Sequence, residues 1–163
     1  MKTLNSLSVL LLAMIFSAQA IAKDTLYKPF VNASAGPGTL AEQTAATVAA
    51  LEGAGFEVVG QYSPLDDTNI IVVTNDDLKK VASMSDRGGY AAGQRVSVTE
   101  TDGNVEVSFI NPVYIQYAYR LAGDLAPVSE ALSEGLGNTG TCGGGDKKMT
   151  AKKLGKYHYM MGM

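Results

Sequence analysis

Apolar and polar positions alternate most clearly between Arg95 and Ile110. Val96 and Val98 on one segment, and Val105, Val107 and Phe109 on the next, recur at every second position. That period places each set on one side of a strand, and the two sets face each other across an antiparallel hairpin. The intervening Thr101-Asp102-Gly103-Asn104 supplies the turn, because Asp-Gly tolerates the positive φ angles that a tight hairpin turn demands.

Other segments repeat every three or four residues. Thr39-Leu40-Ala41-Glu42 reads as a capping box, and Leu40, Thr44, Val48 and Leu51 follow at helical spacing until Gly53 or Gly55. Alanines at 45, 46, 49 and 50 let such a helix lie close on a sheet. Leu26 to Ala33 reads as a strand, as does Phe56 to Gln61, closed by Ser63-Pro64. Asn69 to Thr74 is a continuous apolar run suited to a central strand, reached through Leu65-Asp66-Asp67-Thr68 as a hairpin. Asn75 or Asp76 caps a short helix carrying Leu78, Val81 and Ala82, which ends before Arg87-Gly88-Gly89.

Asn111-Pro112 opens a further helix to Leu121, ended by Gly123. The next begins at Asp124, with Leu125, Val128, Leu132 and Leu136 on one face. Gly135 to Gly145 reads as a glycine-rich linker without helix or strand signals. A last short helix, capped by Thr150, leads into Tyr157-His158-Tyr159-Met160-Met161-Gly162-Met163. Strand pairs joined by short turns predict an α+β fold: two layers, a mainly antiparallel sheet of about five strands, and helices packed on one face.

The chain's start changes the compartment. Met1-Lys2-Thr3, the apolar run Leu7 to Phe16 and small residues at Ala18, Ala20 and Ala22 make an export signal, cut after Ala22 or, in second place, after Ala20. The apolar core is about half the roughly 20 residues of a transmembrane anchor, so none is expected. The expected organisation is a signal peptide over residues 1–22, one domain over 23–136, and a linker with a Tyr/Met-rich tail over 137–163. The expected location is the periplasm or the extracellular space. Composition agrees with one folded domain: 46% hydrophobic and 18% charged residues in 163.

Loss of residues 1–22 removes Lys2 and no acid, so the net charge moves from −3 to −4. A mildly acidic surface without interleaved basic and aromatic residues predicts no nucleic-acid partner. Lys147, Lys148, Lys152, Lys153 and Lys156 form a local exception, read as a solvated helix face or as a site for an acidic partner or anionic lipid.

Gly55-Phe56-Glu57-Val58, the hairpin Arg95 to Glu100 through Gly103 to Phe109, and the closing Asn111-Pro112 resemble the domain-of-unknown-function family 302 over roughly Leu26 to Leu136. The resemblance implies a small α+β domain with an antiparallel sheet, often a homodimer, in a family without an agreed activity. Two positions depart from the family pattern. Val73-Thr74-Asn75-Asp76 replaces a Gly-Asn-Pro after the central strand, and Ala92-Gly93 replaces a Leu-Pro entry to the hairpin. Where those proline turns shape a common ligand site, the site here is altered.

The chemistry on offer is sparse. A serine hydrolase needs an imidazole beside its nucleophile, and the single histidine, His158, lies in the tail. The carboxylates fall at turns and helix faces. His158, Met160, Met161 and Met163, with Cys142 as an optional further ligand, are ligand types suited to copper or a haem contact; equally, the tail residues suit an apolar segment that packs on the sheet. Cys142, the lone cysteine, can pair between chains, ligate a metal or be tolerated. Tyr114, Tyr117 and Arg120, with Asn111 before them, form a candidate surface for a small ligand or protein partner, and Arg87 and Tyr90 add a candidate anion-binding turn. No residue set supports catalysis. The sequence therefore predicts an exported binding module, with a metal- or haem-handling protein as the alternative.

Overall fold

At the hairpin turn, Asp102 and Gly103 both take positive φ, 51° and 76°, and Thr101 pairs with Asn104 directly across them. This two-residue turn follows the twist of the strands it joins. It connects β4 (Gln94–Thr101) to β5 (Asn104–Ile110) in the register that sequence alternation demands, Val96 opposite Phe109 and Val98 opposite Val107.

The computed structural model describes residues 25–157. Around that hairpin stand β1 (Phe30–Ala33), β2 (Glu57–Leu65), β3 (Thr68–Thr74) and β6 (Gly140–Cys142). The spatial order is β2-β3-β4-β5-β1-β6, and every neighbouring pair is antiparallel. Helices α1 (Leu40–Gly53), α2 (Asp76–Ser83) and α4 (Ala126–Leu136) supply Leu51, Leu78, Val81, Val128 and Leu132 to a core shared with Val31, Ile71, Val73, Val96, Val98, Val107 and Phe109. The result is an α+β fold in two layers. No helix among the described residues is long and apolar enough to cross a membrane.

The helix starts carry their signals. Thr39 Oγ1 accepts from Glu42 N (3.3 Å) while Thr39 N donates to Glu42 Oε2 (2.8 Å), closing the capping box of α1. Asn75 Oδ1 accepts from Leu78 N (2.8 Å) at α2. Thr150 Oγ1 accepts from Lys153 N (3.4 Å) at α5 (Ala151–Lys156).

Five expectations need correction. The sheet has six strands, because Gly140–Cys142 in the expected linker adds an edge to β1. A three-residue strand among glycines has no alternation to read; backbone bonds recruit it, including Thr139 N to Asn32 O (2.9 Å). β2 continues past Pro64, which an edge strand tolerates because one side of its backbone needs no partner. The helix after Asn111-Pro112, α3 (Pro112–Ala118), stops short of Leu121 because Arg120 enters the left-handed region at φ 56°. α4 opens at Ala126, two residues late, since Asp124 Oδ1 accepts from Ala126 N (3.0 Å) ahead of it. The first strand is also shorter than expected, beginning at Phe30.

Candidate functional site

Pleating sends alternate side chains to the sheet's second face, away from α1, α2 and α4. Across that face Tyr62 pairs with Ile70, Val72 with Arg95, and Phe30 with both Ile110 and Cys142. Ser97 and Ser108 meet there with hydroxyls 2.8 Å apart. Phe30 and Tyr62 remain 43% and 48% exposed, so an apolar strip crosses a face that no helix among the described residues fully covers.

Two adjoining hollows occupy this strip and share Tyr62, Arg95 and Ile110. The first, about 320 Å³, lies over Ile70, Ser97 and Ser108 and is bounded by Phe30. The second, about 360 Å³, lies over Val72 and is walled by Tyr90 from the 3-10 turn Gly88–Ala91 and by Ile115 and Tyr119 from α3. Arg95 is exposed, and its guanidinium makes no hydrogen bond or ion pair within the described residues. Gln94, one residue earlier, has its Oε1 buried without a hydrogen-bond partner.

The residues expected to carry binding divide. Tyr90, 80% exposed, borders the second hollow. Arg87 sits at φ 59° and starts the 3-10 turn that presents Tyr90. Asn111 is buried and engaged: Oδ1 accepts from Val113 N (3.1 Å) and Tyr114 N (3.4 Å), and Nδ2 donates to Lys28 O (3.0 Å). Tyr117 packs on Tyr27 with ring centroids 5.1 Å apart, and burial, then the hydrogen bond between the two, pushes the Tyr27 phenol above its ordinary value. Arg120 donates to Gly155 O (2.7 Å) and Tyr157 O (3.4 Å), which fastens α5. Tyr114 borders a separate hollow of about 350 Å³ with Ala118, Leu154 and Tyr157. The structure thus brings Tyr90 to the sheet face, while Asn111, Tyr117 and Arg120 hold α3 in place.

Cys142 is half-buried on the same sheet face, and its thiol donates to Asn32 Oδ1 (3.0 Å). His158, Met160, Met161 and Met163 lie outside the described residues. Among the described residues no group of three or more His, Cys, Asp or Glu stands together as a metal site.

Sequence reading along one helix missed Tyr62, Val72, Arg95 and Ile110, which only strand pairing assembles. A signal was present in the run Ile70 to Val73. Ile71 and Val73 are fully buried against the helices, so Ile70 and Val72 must point to the other face.

A two-layer α+β domain with a partly apolar second sheet face is the class this architecture defines. The chain is similar to the crystal structure of an uncharacterized conserved DUF302 protein from Bacillus stearothermophilus, with a TM-score of 0.55 and 18% identity over 69% of this chain and 97% of that one. The domain is therefore DUF302-like in fold. Comparison with family profiles and with curated protein sequences gives no match.

Proposed function

We propose that the protein is an exported, non-enzymatic binding module that holds a small apolar or aromatic ligand bearing one anionic group on the second face of its sheet. The observation that carries this reading is Arg95: an exposed guanidinium without a partner among the described residues, lining both hollows, of about 320 and 360 Å³, with Tyr62 and Ile110. Ligand sites combine mostly apolar walls with a few polar groups that fix orientation, and each hollow reaches the lower end of their usual volume. A guanidinium grips a carboxylate or sulfonate through paired N–H donors, and tyrosine walls offer both ring faces and hydroxyls. Among the described lining residues there is no carboxylate, imidazole or thiol to serve as acid, base or nucleophile. Export rests on the leader-like residues 1–22.

The homodimer implied by the family resemblance competes for the same face, since Phe30, Tyr62, Tyr90 and Tyr119 are exposed there. One titration separates the two occupants. Anilinonaphthalene sulfonate, an aromatic anion, should bind at one saturable site, and Arg95→Ala should weaken it by about tenfold or more, the effect of losing a charge-assisted hydrogen bond. Far-ultraviolet circular dichroism should not change. Equal affinity in the variant defeats the ligand reading. A dimer by light scattering that excludes the probe and is broken by Tyr62→Glu gives the face to a second copy instead.

A further inference from the structure

A second surface shares no lining residue with the two hollows on the sheet. An open groove of about 800 Å³ runs beside α5, with Leu26, Met149 and Tyr157 as its apolar part and Lys148, Lys152 and Lys156 on its rim. Leu26 and Tyr157 are 50% and 46% exposed. Lys153 Nζ donates to Lys148 O (3.1 Å), while the ammonium groups of Lys148, Lys152 and Lys156 have no ion-pair partner among the described residues. No acidic residue occurs between Lys147 and Lys156, in a chain whose net charge is −3. The concentration of positive charge is therefore local, with Asp146 as its acidic neighbour in sequence.

We propose that this lysine-rimmed groove is a docking surface for an anionic lipid bilayer. Lysines close to a bilayer are attracted by acidic headgroups, and their aliphatic stems allow apolar neighbours to reach the acyl boundary. Interfacial binding grows with buried apolar area and with attraction to anionic lipid, and this groove offers both. An acidic polypeptide would use the lysines but would not need the exposed Leu26.

Vesicle co-sedimentation tests this with the chain from Lys23, which keeps the whole described sheet and core and removes the leader's own affinity for lipid. Vesicles of phosphatidylcholine alone are compared with vesicles containing about one third phosphatidylglycerol. Binding is expected only to the anionic vesicles, and about 0.5 M salt should abolish most of it by screening. Lys152→Gln with Lys156→Gln should lower the partition coefficient about tenfold or more. Lys79→Gln with Lys80→Gln, remote on α2, should leave it unchanged. Leu26→Ser should weaken the binding that survives salt. Absence of binding to anionic vesicles, equal binding to neutral ones, or indifference to the Lys152/Lys156 pair overturns the proposal. So does salt-sensitive binding to soluble polyglutamate without binding to vesicles, which would reassign the groove to an acidic polypeptide.

Discussion

Val96 and Phe109 stand directly opposite each other on β4 and β5, and both are sealed on the helix side of the sheet, 0% and 1% exposed. One position further along, Ser97 and Ser108 meet on the other side as a hydroxyl pair. Removing the ring in Phe109→Ala leaves a cavity in a core that cannot fully collapse, and should cost about 3–5 kcal/mol. Ser108→Ala deletes one half-exposed hydroxyl contact and should cost no more than about 1 kcal/mol. Urea unfolding followed by circular dichroism measures both. A Phe109→Ala loss as small as that of Ser108→Ala would mean that the hairpin does not carry the core.

Glycines of opposite kind give a paired test of backbone conformation. Gly103 sits at φ 76° in the hairpin turn, and an added Cβ there would touch nothing within 4 Å. Any loss in Gly103→Ala is therefore conformational, about 1–2 kcal/mol. Gly53 ends α1 in open space without positive φ, so Gly53→Ala should stabilise by about 0.4–1 kcal/mol. Thermal unfolding should move in opposite directions for the two variants.

Gly103 was legible because a positive-φ turn has a residue signature, and the same holds for Thr39, Asn75, Asn111 and Thr150 as caps. Local chemistry determines such positions, so the α+β class and most elements follow from the letters. β6 was not legible: Thr141 is a single β-branched residue among glycines, and the segment forms a strand because the edge of β1 presents free backbone groups. Arg120 was misleading as a helical residue because nothing local marks a left-handed arginine. Its backbone turn is closed by Leu121 N donating to Gln116 O (2.9 Å), and its guanidinium reaches Gly155 and Tyr157, more than thirty positions away. The hollow around Arg95 was illegible for a related reason. It draws one to three residues from each of several strands, and strand order is a property of the whole sheet.

Glu42 predicts an acid-sensitive helix start. The Thr39 backbone N–H, and then its hydroxyl, hold the Glu42 carboxyl below its ordinary 4.5. A carboxyl with a lowered folded-state pKa stabilises the fold fully above its unfolded value, and that stabilisation disappears as pH falls through the folded value. The wild-type unfolding midpoint should therefore exceed that of Glu42→Gln at neutral pH, and the difference should narrow only below about 4.5. A difference that stays constant from neutral to strongly acidic pH would show that the capping contact does not depend on charge.

Arg120 links two tasks that separate variants can uncouple. Its positive φ ends α3, and its guanidinium binds the last carbonyls of α5, where a cation also meets the negative end of the helix dipole. Arg120→Ala keeps the strained backbone and loses the bonds. Arg120→Gly loses the bonds but removes the strain. Both should release α5, so trypsin should cut after Lys152, Lys153 and Lys156 faster than in the wild type. Global stability should divide them, with the alanine variant about 1 kcal/mol below the glycine variant. The core beneath should stay folded, because apart from Leu154 it is built from residues before Gly137. Unchanged trypsin cleavage in both variants would mean that Leu154 burial and the bond from Tyr27 N to Met149 O (2.9 Å) suffice to hold α5. In that case the left-handed arginine would serve the end of α3 alone, and alanine and glycine would still differ in stability.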